Sequence, residues 1–154
     1  MENRIPTQAR SIAKRNKIVE KGFELMCEKG YFNTTTPDIA EYAGVSTGIV
    51  YQYFNDKKEI FLIGVQNYST EILYPVLSLI EIKKLESKNL EVLISDLIDK
   101  FIKKHTISKK AHEEIIAMSH LDEDIANIIR ESELLVTNKI VDLLNRRVLQ
   151  CRIF

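Results

Sequence analysis

The sequence predicts an all-α protein. Three observations point there. Gly and Pro are scarce, five and three in 154 residues, so signals that break regular structure are few. Leu, Ile, Glu and Lys dominate, and strand-like alternation is hard to find. Apolar residues recur at helical spacing: Ile18, Gly22, Leu25 and Met26 fall at i, i+4, i+7 and i+8, which is one helix face. The length suits one ordinary domain, or two small ones sharing a helix.

The elements follow in order. Residues 1–10 are polar and are expected to fray. A first helix is predicted over 11–29, with Gly30 as a left-handed stop. Thr35 caps a second helix, and Asp38 three residues later makes a carboxylate variant of the capping box. Pro37 is tolerated in the first turn, where its missing N–H has no helical partner. Ile39, Ala40 and Ala43 form the apolar face, and Gly44 ends the helix. Val45 turns the chain, and Ser46 caps a third helix over 47–54. Asn55 or Asp56 caps a fourth, from Lys57 to about Tyr74. Its stripe is Ile60, Phe61, Val65, Tyr68 and Ile72, and Pro75 is expected to kink or break it.

Beyond Pro75 the texture changes. "VLSLIEIKKLESKN" reads as helical, and "LEVLISDLIDKFIKKH" as a strong amphipathic helix through Leu90, Leu93, Ile94, Leu97, Ile98 and Phe101. Ser108 caps a short helix in "SKKAHEEIIAMSH", and a long one is predicted from Asp122 to Arg147. No internal repeat or low-complexity tract is evident.

Composition excludes several classes. Apolar residues make up 45% of the chain and charged residues 29%, so a core is possible and wholesale disorder is not expected. The formal net charge is zero, which gives no global sign of nucleic-acid or membrane binding. It does hide a local positive arm: Arg10, Lys14, Arg15 and Lys17. That arm reads equally as a solvated helix start. No apolar run approaches a membrane span and no signal-peptide core is present. Cys27 and Cys151 make no disulfide framework, and Cys27 reads as a small buried residue. A reducing cytoplasm fits. No nucleophile–base pair or Gly-rich phosphate loop is present, so no enzyme is expected and no cofactor. His105, His112 and His120 read as surface histidines, since no cysteine or acidic pair completes a metal site.

Two short helices joined by "AGVS" make a helix-turn-helix. Gly44 permits the sharp turn, and Val45 plugs the angle between the helices. Ser46 caps the second, whose outward N–H groups can receive a phosphate. Ile49, Val50 and Phe54 are expected to face the core, and Thr47, Gly48 and Gln52 the outside. A short helix so placed can enter a major groove, where its first turns meet base edges.

The stretch "TTTPDIAEYAGVSTGIVYQYFNDKKEI" resembles the DNA-binding signature of the TetR/AcrR family of bacterial transcriptional regulators. The shared features are the Thr pair before "DIA", then "AGVS", then "GxxYxYF", then Lys with a following acid. "RNKIVEKGFELMCEKGY" is similar to the family's first helix. The resemblance covers about residues 12–72.

That resemblance implies roles at matched positions. Thr35 is a phosphate-contacting cap. Ser46, Thr47 and Gly48 begin the recognition helix. Tyr51 and Tyr53 contact the DNA backbone, and Gln52 reads a base, for which Gln on adenine is a natural pairing. Lys57 contacts a phosphate. Taken singly, these residues also have plain structural readings: packed tyrosines, a helix cap, a solvated lysine. The joint pattern reverses them.

The resemblance also implies an architecture. An N-terminal three-helix DNA-binding domain at 12–72 is joined by a long fourth helix to a helical ligand-binding and dimerisation domain at 73–154. The implied partners are a double-stranded, palindromic DNA operator, a small-molecule inducer and a second copy of the chain. The implied function is repression, relieved when ligand favours a conformer that no longer matches the half-site spacing. Family members usually continue with two more long helices, so the regulatory domain is expected to be shortened. Leu134, Leu135, Ile140, Leu143 and Leu144 would then be left exposed. The competing reading is a truncated family member that acts as a non-DNA-binding or dominant-negative interaction protein.

Overall fold

The computed structural model of the chain describes residues 9–81, 92, 95, 98–99 and 109–151. Among these the regular elements are helices. Helix α1 spans Ala9–Lys29 and buries Ile18, Val19, Gly22, Leu25 and Met26 on one face. Gly30 follows at φ 92°, the left-handed joint expected there. Helices α2 (Thr36–Ala43) and α3 (Thr47–Tyr53) are short.

Helix α4 spans Lys57–Glu81, past the expected end near Tyr74, so of the kink or break expected at Pro75 the break does not occur. A proline removes one helical hydrogen bond and crowds the preceding turn, at a cost of about 3 kcal/mol. Such a cost bends a helix without having to end it. Helix α5 spans Lys109–Ser119 and α6 spans Glu123–Cys151. Of the helix expected over 90–105, only Val92, Ser95, Ile98 and Asp99 are described, and all four are helical. Ser108 lies outside the described residues.

The chain divides into two compact units. The first joins Met1–Asn67 to Lys110–Ala126. The second joins Tyr68–Lys109 to Asn127–Phe154. A boundary at 72/73 therefore falls inside α4, and the first unit takes in a stretch from far along the chain. Its apolar core explains why. Ile18, Met26, Ile39, Phe54, Ile60, Phe61 and Val65 are all 0% exposed, and Ile125 from the later stretch is equally buried. Ile115 and Met118 of α5 join them. Each such side chain contributes roughly 1.5–3 kcal/mol on leaving water. Gly22 sets how closely the helices meet: a Cβ there would stand 2.8 Å from Ile60 Cγ2 of α4 and 3.0 Å from Ile39 Cγ2 of α2.

In the second unit, α6 leaves Leu134, Leu135 and Ile140 exposed, as expected, together with Val141. The side chains of Leu143, Leu144 and Ile72 lie outside the described residues.

Candidate nucleic-acid interface

The candidate surface is built from local signals. Thr35 takes an extended conformation at φ −103° and ψ 161° and caps α2. Its hydroxyl accepts from the Asp38 N–H, while Asp38 Oδ2 accepts from the Thr35 N–H at 2.8 Å and from the Thr35 hydroxyl at 2.6 Å. These bonds, the hydroxyl's first, hold the Asp38 carboxyl below its ordinary value. Gly44 ends α2 in the left-handed region at φ 68°, with the Gly44 N–H on the Glu41 carbonyl and the Val45 N–H on the Ala40 carbonyl. Two residues later Ser46 is extended again, and its hydroxyl accepts from the Ile49 N–H. The turn between α2 and α3 is thus closed from both sides by caps.

Packing then fixes the rotation of α3. Val50 is 1% exposed and Phe54, its C-cap, 0%. With these anchored, Gly48, Tyr51 and Gln52 face solvent, and Tyr51 is 52% exposed. Thr47 and Ile49 are half-buried. Tyr53 is half-buried too, and its hydroxyl shares a 2.8 Å hydrogen bond with Ser11 of α1.

The cations gather nearby. Arg10, Lys14 and Lys17 are exposed on α1. Lys17 Nζ reaches the turn, where it would lie 3.7 Å from a Cβ on Gly44. Arg15 turns inward, and its guanidinium stands 5.1 Å over the Phe54 ring.

Lys57 has an architectural setting as well. Its ammonium donates to the carbonyls of Tyr31 at 2.7 Å and Thr34 at 2.8 Å, and lies 4.4 Å from the Tyr31 ring centre. Burial pulls its pKa down from the ordinary lysine value. Asp56 caps α4 by accepting from the Glu59 N–H, and Glu59 returns a bond to the Asn55 N–H. Lys58 pairs with Asp122 and Asp124, each at 2.7 Å, which pushes its ammonium pKa up.

Sequence reasoning missed Ser11, Tyr31, Thr34, Lys58 and Glu114. Thr34 is fully buried and donates to the Gly30 carbonyl at 2.9 Å. Only the run of three threonines hinted at it. Glu114 of α5 accepts from the Tyr31 N–H at 2.6 Å, and nothing in local spacing marks that pair.

Among the described residues no group of His, Cys, Asp and Glu could hold a metal ion, and no helix is long and apolar enough to cross a membrane. His112 is half-buried, His120 is exposed, and His105 lies outside the described residues. Cys27 is half-buried, less enclosed than expected, and burial pushes its thiol up to about 12.

Comparison with known proteins adds the following. Residues 18–62 match the family model described as bacterial regulatory proteins, tetR family. A 54-residue stretch is 43% identical to the HTH-type transcriptional regulator HbdR of Aromatoleum sp. strain CIB, covering 35% of this chain and 24% of that one. A 53-residue stretch is 32% identical to IcaR of Staphylococcus epidermidis, the negative transcriptional regulator of the biofilm operon icaADBC, covering 34% and 29%. A 66-residue stretch is 32% identical to the HTH-type transcriptional activator FasR of Mycolicibacterium smegmatis, covering 43% and 28%. The matched stretches thus span about a quarter of the length of these relatives. A crystal structure of a candidate tetR-family regulator from Mesorhizobium loti superposes with a TM-score of 0.78 at 23% identity, over 91% of this chain and 72% of that one. That likeness concerns the fold.

Proposed function

From the match of residues 18–62 to the model of the bacterial regulatory proteins of the tetR family, we propose that the chain belongs to that family and is a DNA-binding transcriptional regulator, in the first instance a repressor released by a small molecule. One observation carries the reading. Helix α3 is clamped by Val50 and Phe54 yet presents Gly48, Tyr51 and Gln52 to solvent. A helix held this way enters a major groove without first having to order itself.

The proposed contacts divide by chemistry. Ser46, Thr47 and Gly48 bring the N-terminus of α3 to a phosphate and the groove edge. Gln52 reads a base, with adenine as its natural bidentate partner. Tyr51 lies along the backbone with its hydroxyl free to reach a phosphate oxygen. Tyr53 supports it from the half-buried side. Thr35 contributes at the N-terminus of α2, where the helix dipole favours an anion. Lys57 has three donors, gives two to loop carbonyls, and keeps one for a phosphate. The exposed cations of α1 add sequence-independent attraction.

A helix-turn-helix of this kind reads one half-site, so a palindromic operator and a pair of chains complete the proposal. The second unit, in Tyr68–Lys109 and Asn127–Phe154, is the proposed seat of ligand binding and pairing. The sign of regulation is not common to the relatives, since IcaR is a negative regulator and FasR an activator.

Selection of bound duplexes from a random pool tests the reading. A recovered motif with twofold symmetry, bound with steep salt dependence, supports it. Recovery of no motif sinks it. A reporter carrying the recovered site then reads the sign.

A further inference from the structure

Tyr31 carries two backbone bonds that cross the fold. Its N–H donates to Glu114 Oε1 at 2.6 Å, 83 residues away on α5. Its carbonyl accepts from Lys57 Nζ at 2.7 Å, on α4. The same ammonium holds the Thr34 carbonyl at 2.8 Å. Thr35, the next residue, is the cap of α2. A bond made by α5 therefore ends, within one short loop, at the N-terminus of a helix in the reading head.

The Tyr31 peptide is held chiefly from outside the loop. It begins at Gly30, in a left-handed conformation that glycine adopts without cost. Its own backbone bond, from the Thr34 N–H to the Tyr31 carbonyl, is long at 3.4 Å. The short bonds on Tyr31 come from Glu114 and Lys57. Glu114 is itself well placed to hold, because its neighbour Ile115 is 3% exposed and Met118, one turn on, 4%. The turn after α5 and the start of α6 are tied down in addition by the bonds from Lys58 to Asp122 and Asp124. A carboxylate on a backbone N–H is among the stronger hydrogen bonds a protein makes.

We propose that Glu114 is a positioning residue for DNA binding: from α5 it holds the Tyr31 peptide and so sets where Thr35 and the N-terminus of α2 stand. This rests on the reading of the chain as a DNA-binding regulator. Glu114 lies outside residues 18–62 but in the same compact unit, so the proposal gives α5 a part in the reading head. Glu114 touches no DNA. It acts on the loop that does.

The test uses the full chain and the DNA that the wild type selects. Glu114→Ala is expected to weaken binding about tenfold, the scale of one charge-assisted hydrogen bond. The loss should be equal for all sequences, and the salt slope should match the wild type, since no phosphate contact is removed. Glu114→Gln keeps an acceptor oxygen at the same reach and should restore most of the affinity. Should Glu114→Ala fail to fold, Glu114→Asp, one methylene too short, takes its place and must lose affinity while melting close to wild type. Unchanged affinity in the shortened variants overturns the proposal. So does a loss that Gln does not restore, or a changed salt slope. A wild type that selects no DNA overturns the functional reading and the inference with it. A wild type that binds beside variants that bind equally overturns the inference alone.

Discussion

The hydroxyls of Ser11 and Tyr53 meet at 2.8 Å, joining the first turn of α1 to the last residue of α3 across 42 positions of sequence. Either can donate. The bond pins the end of α3 opposite to its Ser46 cap. Val50 and Phe54 fix the buried side of α3, and this bond fixes its far end, so Tyr51 and Gln52 keep one outward heading. The pair should behave as a unit. Tyr53→Phe and Ser11→Ala are each expected to lower unfolding free energy by roughly 0.5–1.5 kcal/mol, and the double variant by no more than either alone. Denaturant titration of the four proteins reads the coupling. Strictly additive losses would show that the two hydroxyls do not depend on each other.

Gln52 stands exposed one position before that anchor. Its replacement by Ala should relax a single position of the selected motif at a cost on the order of 1–3 kcal/mol. The salt slope should not move, because an amide neutralises no phosphate. An identical motif for wild type and Gln52→Ala would remove Gln52 from the readout.

What the sequence shows of this site is what is local in it. Thr35 and Asp38 are three residues apart, and Ser46 and Ile49 likewise, so caps are visible in a short window. The face made by Ile18, Gly22, Leu25 and Met26 repeats with the helix itself. The bonds that tie these pieces together have no such window. Lys57 meets Tyr31 across 26 residues and Glu114 meets it across 83. A lysine that follows an aromatic helix reads as a solvated or phosphate-facing cation until the loop carbonyls beside it are known. The break that was one of two outcomes expected at Pro75 is absent for a related reason: propensity gives only a local cost, and that alone does not decide whether a helix ends.

Gly64 offers a check on that packing. A Cβ added there would overlap the Phe23 side chain, standing 2.6 Å from its Cβ. The Phe23 ring also meets the Phe61 ring, with centroids 5.5 Å apart, so it has little room to retreat. Alanine is the better helix former by about 1 kcal/mol. Overpacking should outweigh it, leaving Gly64→Ala less stable by roughly 1–2 kcal/mol net. A thermal melt decides the sign, and a variant that melts higher than wild type would refute the close approach of α1 and α4.

The acid side of stability should report the α2 cap. The Asp38 carboxyl is held below its ordinary value, first by the Thr35 hydroxyl and then by the Thr35 N–H. A carboxyl depressed in the folded state contributes stability that is complete above its unfolded pKa, about 4, and is lost as pH falls through the folded value. Asp122 is depressed in the same direction, first by Lys58, and loses its share over the same acid range. Stability should therefore be level near neutrality with respect to both groups and fall below about pH 4. Asp38→Asn keeps the shape of the cap but cannot ionise. It should be less stable at neutral pH and show a shallower acid limb, the residual slope including the share of Asp122. Denaturant midpoints taken across the acid range compare the two curves. Parallel curves, displaced but of equal steepness, would mean that Asp38 carries its charge without any gain from Thr35.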